Sequence, residues 1–226
     1  MTSPTYKILA TEHHLATAAK VLAGECNVMR AIYARTGTPP LRDFTADFAG
    51  LAKIVTGQQL SIASASAIWS RVASAVIPFD AAGVRALPDA KLAVLGLSRG
   101  KVRTLKAIAA AIEDDGLDIA ALGKASDAIV IERLTSLHGI GPWTADIYLL
   151  FALRRADAFA PGDLALQLAV QRHLKLKDRP TPAELEAIAE RWRPWRAAAA
   201  RLLWADYGLA RPKIAKQSPV KQGLPR

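Results

Sequence analysis

The chain has 226 residues, a formal net charge of +10, and hydrophobic side chains at 51% of its positions. This composition excludes a disordered chain, and the length is sufficient for one large domain or two lobes with a buried core. The excess of lysine and arginine favours nucleic acid as a partner, although ordinary surface charge remains an alternative. The single cysteine, Cys26, excludes an internal disulfide and a four-cysteine iron–sulfur site, and it fits a reducing cytoplasm.

The N-terminal part of the chain predicts helices separated by a linker. Residues 12–25 carry apolar side chains at helical spacing, and residues 36–42 contain the glycine and prolines of a linker. Residues 43–56 predict a helix that begins at an acidic cap, Asp43. Residues 1–11 show no signal-peptide pattern, and no apolar run reaches the roughly 18 residues of a membrane span. We therefore expect a cytoplasmic protein without a membrane partner.

A glutamine pair and a basic helix follow. Gln58 and Gln59 precede a run of small residues, and the simplest interpretation of the pair is a solvated helix start. Residues 99–114 predict a helix capped by Ser98. Its first turns carry Arg99, Lys101, Arg103 and Lys106. Because cations at a helix N-terminus oppose the macrodipole, phosphate contact by Lys101 is a hypothesis that stands beside a solvated face.

The most informative stretch predicts a helix, a tight hairpin and a second helix. A helix over 126–136 is followed by residues 137–141, which read LHGIG, and Pro142 suits the first turn of a new helix. Gly139 and Gly141 permit backbone angles that other residues resist. The second helix begins with free N–H groups and a positive dipole end, and these suit one phosphate.

A carboxylate follows the hairpin. Pro161-Gly162-Asp163 precedes another apolar run, so Asp163 lies at or near a helix start. On these residues alone, the simpler interpretation of Asp163 is a helix cap. Further helices are predicted over 182–192 and 195–207. The pattern therefore predicts an all-α fold, followed by a mobile basic tail over 211–226 with five basic and no acidic residues.

In combination, these motifs resemble the helix-hairpin-helix superfamily of DNA base-excision glycosylases, and within it the alkylbase branch, DNA-3-methyladenine glycosylase II. The resemblance covers roughly residues 40–210. It rests on the hairpin, the spaced Asp163, Gly57-Gln58-Gln59-Leu60-Ser61, Leu95-Gly96-Leu97-Ser98 with Lys101, and the segment from Trp192 to Trp204. It implies one two-lobed helical domain over 1–210, with the hairpin at about 126–153 and the active site in the cleft between the lobes.

The resemblance also implies the chemistry. Asp163 would stabilise the oxocarbenium character of the sugar and orient or deprotonate the attacking water. Bifunctional relatives place a lysine two residues after the second hairpin glycine, where this chain has Trp143, so we expect a monofunctional glycosylase that leaves an abasic site. Trp143, Trp204 and Tyr148 would form the base pocket. Their rings would attract a cationic base such as 3-methyladenine or 7-methylguanine, by about 0.5–2 kcal/mol per contact.

The contacts with double-stranded DNA are implied in the same way. Gln58 and Gln59 would enter the minor groove, with Gln59 filling the gap that the extruded nucleotide leaves. Backbone N–H groups of Gly139, Gly141 and Thr144 would hold a phosphate beside the lesion. Family members often place a metal cation at this loop, and the matching carbonyl oxygens belong to Thr135, Leu137 and Ile140. No other cofactor is implied, and the expected partner is alkylated duplex DNA bound by a monomer.

Two other functions remain as alternatives. A related glycosylase could prefer deaminated or etheno purines, or uracil, although a neutral base would lose the attraction of a cation to the aromatic rings. A non-catalytic binder of damaged DNA is the second alternative. Binding alone has no use for a carboxylate that faces a polyanion, and a binder would keep its function in Asp163→Asn.

Overall fold

The computed structural model describes residues 7–42 and 44–210. The regular secondary structure of this part of the chain is helical, apart from one antiparallel bridge between Ile8 and Arg155. The helices are α1 (Glu12–Glu25), α2 (Asn27–Thr36), α3 (Phe48–Gly57), α4 (Ile62–Ala75), α5 (Ala81–Ala86), α6 (Asp89–Val94), α7 (Arg99–Glu113), α8 (Ile119–Leu122), α9 (Asp127–Thr135), α10 (Pro142–Ile147), α11 (Leu164–Leu174), α12 (Pro182–Ala189) and α13 (Arg196–Ala210). A π-helical turn over Tyr148–Ala152, called the π turn below, continues α10.

The predicted all-α fold is confirmed. Among the described helices, none combines the length and the apolar character that crossing a bilayer requires. The predicted basic tail over 211–226 lies outside the described residues.

α3 begins later than the sequence predicted. Asp43, the expected cap, lies outside the described residues, and the helix is capped by Asp47, which accepts a hydrogen bond from the Gly50 amide at 2.9 Å. A Cβ at Gly50 would overlap the carbonyl oxygen of Thr45, so this close turn requires glycine. The prediction failed because Phe44 and Phe48 have helical spacing, whereas Phe44 precedes the helix and stacks on the ring of Phe151 at 5.6 Å.

The helices pack in two groups, in agreement with the predicted two-lobed fold. In the first group, α13 contacts α1, α2 and α11, and α12 packs on α11. In the second group, α3 contacts α4, α7 and α10, while α7 contacts α5 and α6, and α9 packs on α10. The chain therefore leaves the first group after α2 and returns to it at α11, which brings the two ends of the domain together.

Two buried contacts fix this arrangement. The Asp206 carboxylate of α13 is 2% exposed and accepts hydrogen bonds from Arg35 Nε of α2 at 3.0 Å and from His173 of α11 at 2.7 Å. The N-terminal segment also joins the segment after the π turn, because the Leu9 amide donates to the Arg154 carbonyl at 2.7 Å. Charged groups at these positions are therefore explained by the packing of the helices.

Asp146 on α10 is a carboxylate whose burial affects stability. Its pKa is raised from 3.8 to about 7, chiefly by burial and also by the negative charge of Glu186, while the positive charge of Arg196 partly opposes both effects. Because the pKa is higher in the folded state, the folded chain binds more protons between about pH 4 and pH 7. This carboxylate therefore lowers stability progressively as the pH rises through that window, and its full unfavourable effect is present above pH 7.

We expect Asp146→Asn to raise the free energy of unfolding at pH 8 by about 2–4 kcal/mol, because the amide is not ionised at any pH in this range. The gain should shrink towards zero near pH 4. Urea denaturation at pH 4, 6 and 8 measures it, with the exposed Glu132→Gln as the control for loss of one negative charge. An equal effect of both substitutions, or a gain independent of pH, would contradict this account.

Candidate active site

A cleft of about 710 Å³ lies between the two groups of helices. One wall comes from α3, α4, α10 and the π turn, and the other from the start of α11 and from α13. Its aromatic lining consists of Phe44, Trp69, Trp143, Phe151, Trp204 and Tyr207. Its charged lining consists of Arg42, Lys53 and Asp163. A cleft of this size and character can enclose one small, flat, partly polar group.

Asp163 caps α11 and also lines the cleft. As the cap of α11, its Oδ1 atom accepts hydrogen bonds from the amides of Ala165 at 2.9 Å and Leu166 at 3.0 Å. The same oxygen accepts a third bond from the indole Nε1 of Trp204 at 2.9 Å. The other oxygen, Oδ2, accepts one bond from the indole Nε1 of Trp143 at 2.9 Å. The carboxylate is therefore a helix cap that also lines the cleft.

The two carboxylate oxygens of Asp163 differ in how many further hydrogen bonds they can accept. A carboxylate has about four lone-pair sites in total, so Oδ1 with three donors is saturated, whereas Oδ2 with one donor keeps a site for another partner. Both indole donors also fix the orientation of the carboxylate plane. The geometry therefore assigns the chemistry of this group to Oδ2, held in place by Trp143.

The aromatic wall extends beyond the two predicted tryptophans. The rings of Trp204 and Phe151 stack with centroids 5.4 Å apart, and Phe151 stacks in turn on Phe44. The sequence interpretation missed Phe151 and Phe44. Phe151 has a signal in the sequence, because Trp143, Ile147 and Phe151 recur every four residues and so share one face.

Tyr148 does not line the cleft, so this part of the predicted base pocket is corrected. The residue is fully buried, and among the described residues its hydroxyl has no hydrogen-bond partner. Burial raises its pKa, and the nearby Asp47 carboxylate adds to the effect. The physical reason is helical geometry, because adjacent residues point about 100° apart and Ile147 already faces the cleft.

The Gln58–Gln59 loop is held by contacts that the sequence did not reveal. The Lys101 ammonium donates to the carbonyl oxygens of Thr56 and Gln58, both at 2.8 Å. Burial lowers the Lys101 pKa. Two of its three N–H donors are therefore in use, and this cation neutralises the negative end of α3 and fixes the loop. Phosphate contact by Lys101 stays a prediction. Gln59 is exposed at the tip with a positive φ of 56°, which a non-glycine residue adopts only under constraint.

Thr144 is also corrected as a phosphate ligand. It is 2% exposed, and its amide donates to the carbonyl of Gly141 at 3.0 Å. Its hydroxyl accepts a hydrogen bond from the Gln58 side chain at 2.9 Å. Thr144 and Gln58 therefore connect the hairpin helix to the loop that carries Gln59, and the Gln58 side chain is turned towards the protein.

The two hairpin glycines have different reasons for being glycine. Gly139 has a φ of 80°, and a Cβ there would overlap the hydroxyl oxygen of Thr104 on α7. Gly141 has an ordinary φ of −100°, and a Cβ there would meet no atom within 4 Å. The expectation of unusual backbone angles at both positions is therefore wrong for Gly141. Within the described chain, neither glycine amide donates to another backbone group, and both residues are exposed, so their N–H groups are available to an anion.

The hairpin carbonyls that were matched to a metal cation belong to Thr135, Leu137 and Ile140. Carbonyl oxygens are hard donors of the kind that alkali and alkaline-earth cations take, so the donor chemistry fits. The Leu137 carbonyl already accepts a hydrogen bond from the Ile140 amide at 3.1 Å, which uses one of its two lone pairs. In the described part of the chain, no cluster of three or more His, Cys, Asp or Glu side chains could hold a metal ion.

The chain is similar to known proteins in both sequence and fold. A DNA-3-methyladenine glycosylase from Saccharomyces cerevisiae is 34% identical over 154 residues, which is 64% of this chain and 51% of the yeast protein. DNA-3-methyladenine glycosylase 1 of Schizosaccharomyces pombe is 30% identical over 164 residues, which is 71% of this chain and 72% of that protein. The structure of an S. pombe 3-methyladenine DNA glycosylase in complex with abasic DNA matches with a TM-score of 0.78 at 28% identity, covering 85% of this chain and 97% of that one.

The shared region is a part of several longer proteins. The chain spans 32%, 51% and 56% of the length of curated relatives from Bacillus subtilis, S. cerevisiae and Escherichia coli. The profile of the HhH-GPD superfamily of base excision DNA repair proteins matches residues 52–194, which include the second half of α3, the hairpin and Asp163. The chain therefore belongs to the HhH-GPD superfamily of base excision DNA repair proteins.

Proposed function

We propose that the chain is a monofunctional DNA glycosylase that removes alkylated purines, such as 3-methyladenine and 7-methylguanine, from duplex DNA in base excision repair. The observation that carries the proposal is the Asp163 carboxylate, fixed by two tryptophans at the wall of a cleft that accommodates one base. The names of the similar yeast proteins support the same substrate class.

The geometry gives each part of the site a role. The free amides of Gly139 and Gly141 bind one phosphate, and Gln59 at the exposed loop tip fills the space of the extruded nucleotide. Extrusion costs a few kcal/mol, and less for a damaged base that stacks or pairs poorly. The base then enters the aromatic cleft, which places the sugar beside Asp163 Oδ2.

Breaking the bond between the sugar C1′ and the base nitrogen transfers the electron pair to the base. A base that carries a positive charge becomes neutral in this step, so it leaves without needing a proton from the protein. The developing oxocarbenium ion is stabilised by the negative charge of Oδ2, and a water oxygen then bonds to C1′. The proton that this water releases can pass to Oδ2, which has an unused lone pair.

The absence of strand cleavage is part of the proposal. Trp143 stands where bifunctional relatives have the lysine that forms a Schiff base, and its indole donates to Asp163 instead. Lys53 nevertheless brings an amine to the cleft, where its Nζ lies 4.8 Å from the centroid of the Phe44 ring. Borohydride trapping tests this point. A covalent adduct that forms in the wild type and disappears in Lys53→Gln would overturn the monofunctional assignment.

The first test of the function is the incubation of the protein with methylated duplex DNA. We expect free 3-methyladenine or 7-methylguanine in the supernatant, together with strands that break only after alkali treatment. A protein that binds the duplex tightly and releases no base would be a non-catalytic binder of damaged DNA. Preferential release of uracil or another neutral base would retain the glycosylase and refute the alkylpurine substrate.

The two indole donors should contribute separately to the reaction. Trp143→Phe removes the donor that holds Oδ2, and Trp204→Phe removes one of three donors on Oδ1. A hydrogen bond to a charged group contributes about 1.5–3 kcal/mol, so we expect Trp143→Phe to slow single-turnover release by roughly 10- to 100-fold and Trp204→Phe by less.

The matched control is Trp192→Phe. Trp192 is buried away from the cleft, and among the described residues its indole nitrogen has no hydrogen-bond partner. This change should lower the melting temperature through lost packing and leave the release rate of the folded enzyme unchanged. Equal losses of rate in all three variants would show that the tryptophans act through stability alone.

Three further properties stay predictions: a monomeric state, a cytoplasmic location and a cation at the hairpin. The cation is open to a direct measurement, because a carbonyl site should raise the melting temperature in K⁺, Na⁺ or Ca²⁺ relative to tetramethylammonium at equal ionic strength. Half of the net positive charge lies in residues 211–226, so their removal should weaken binding equally for all DNA sequences.

A further inference from the structure

The aromatic wall of the cleft already faces cations that belong to the protein. The Arg42 guanidinium carbon lies 5.0 Å from the centroid of the Phe151 ring, and that of Arg201 lies 4.6 Å from the same centroid. Arg201 is 4% exposed and donates to the Leu150 carbonyl, so it forms part of the interior behind the wall. Arg42, by contrast, lines the cleft itself. A base that enters beside Phe151 therefore meets the guanidinium of Arg42.

Arg42 has hydrogen-bonding capacity to offer this base. Within residues 7–42 and 44–210 it forms no ion pair, and the side chain is exposed to the cleft. Partial desolvation of the guanidinium by the surrounding cleft walls lowers its pKa and the charge of Asp163 opposes this, but an arginine remains protonated at neutral pH. A guanidinium carries five N–H donors and no acceptor, so it pairs with carbonyl oxygens and repels amino groups.

We infer that Arg42 is a specificity-determining residue that donates a hydrogen bond to the exocyclic oxygen of a flipped 6-oxopurine, so that the cleft selects 6-oxopurines over 6-aminopurines. This inference rests on the proposed function. Among cationic lesions it favours 7-methylguanine over 3-methyladenine. Among neutral bases it favours hypoxanthine over adenine, whose exocyclic amino group is a donor and offers no oxygen.

Two physical effects have to be separated in the test. The positive charge of Arg42 disfavours any cationic base, whether it carries an oxygen or an amino group at position 6. Its N–H donors favour a base with an oxygen at position 6, whether that base is cationic or neutral. The four bases above form two pairs, and the members of each pair have the same formal charge but carry either an oxygen or an amino group at position 6. The ratio of the two release rates within a pair therefore measures recognition of the group at position 6. The ratio of the rates between the two pairs measures the effect of the charge of the base.

The experiment measures single-turnover release of the four bases, each placed in the same duplex sequence, by the wild type, Arg42→Met and Lys53→Met. Lys53→Met is the matched control because Lys53 lines the same cleft and also carries one positive charge. We expect Arg42→Met to lower the ratio of 6-oxopurine to 6-aminopurine release by about 10- to 100-fold in both pairs, which corresponds to one charged hydrogen bond. Lys53→Met should leave both ratios unchanged, and Arg42→Lys should restore part of the loss.

Other outcomes overturn the inference in distinguishable ways. An equal loss on all four bases would mean that Arg42 acts on Asp163 or on the DNA backbone. A change that follows only the charge of the base would make Arg42 an electrostatic filter without recognition of the edge. A wild type that releases 3-methyladenine faster than 7-methylguanine, with no change of that ratio in Arg42→Met, would refute the inference and leave the proposed glycosylase intact. If the wild type releases none of the four bases, the proposed function itself fails.

Discussion

Asp163→Asn is expected to lower the rate of base release by about 100- to 1,000-fold or more, which is the loss usually seen when a charge-stabilising group is removed from an active site. The asparagine oxygen can still accept the three hydrogen bonds that Oδ1 accepts from Ala165, Leu166 and Trp204. Asparagine is also as good a helix cap as aspartate. The fold should therefore persist while the negative charge and the open lone pair of Oδ2 are lost.

A second consequence concerns the partner of Oδ2. In the variant, the amide nitrogen faces the Trp143 indole nitrogen, and two donors then oppose each other. This should lower stability by about 1–3 kcal/mol. Binding to an uncleaved duplex should persist or strengthen, because a negative charge that faces phosphates is removed. Single-turnover release and fluorescence anisotropy measure the two effects on the same samples.

Asp80→Asn is the control for this change. Asp80 caps α5 by accepting a hydrogen bond from the Gly83 amide at 2.7 Å, and it does not line the cleft. The same chemical substitution at a cap outside the cleft should leave base release unchanged. If Asp163→Asn released base at the wild-type rate, Asp163 would be only a cap and the proposed chemistry would be wrong.

Gly139→Ala is expected to have the largest effect on stability, a loss of about 2–5 kcal/mol. The positive φ of 80° costs an alanine about 1–2 kcal/mol. The new methyl group would also overlap the Thr104 hydroxyl of a buried helix face, and such overpacking typically costs about 1–3 kcal/mol. Because most domains are stable by only about 5–15 kcal/mol, this variant should unfold at much lower urea concentration.

The neighbouring glycine provides the control. Gly141→Ala introduces a methyl group into open space at an ordinary φ, so its stability should change by less than about 0.5 kcal/mol. That methyl group projects beside the amides that we propose to bind a phosphate, so it should weaken DNA binding while the fold is preserved. Equal stability losses in the two variants would contradict the assigned geometry.

A double substitution separates the two causes at Gly139. Thr104→Ala removes the hydroxyl and methyl groups that an alanine at 139 would approach, and it leaves the backbone angle unchanged. The loss caused by Gly139→Ala should therefore be smaller in the Thr104→Ala background, and the remainder measures the strain of the positive φ. No coupling between the two sites would place Thr104 away from the hairpin.

The parts of the site that the sequence predicted are those set by local patterns. The hairpin is marked by glycine and proline within a few residues, and Asp163 by a cap position before an apolar run. Thr144 and Tyr148 were misassigned, and the loop contacts of Lys101 were missed, because the contacts of these residues lie far away in the sequence or depend on which face of a helix is buried. A lysine at a helix start is unfavourable in isolation, and only the folded chain shows the carbonyls of Thr56 and Gln58 beside it.

Other features had no sequence signal of their own. The π turn arises where α10 meets the core, and intrinsic preferences do not distinguish it from an ordinary helical turn. Phe44 has helical spacing to Phe48 but precedes α3, and its ring stacks on that of Phe151. Tertiary contacts determine the conformation of the π turn and of Phe44, and they also place Arg42 beside the cleft.

α7 joins the two loops that the proposed function assigns to DNA. Lys101 holds the loop that carries Gln59, and Thr104, one turn further along the same helix, lies against Gly139 of the hairpin. The distance between the two loops is thus preset by a single rigid element before any DNA arrives. Binding then requires little ordering of the protein. The duplex, as the softer partner, must bend and open to match a spacing that α7 has already fixed.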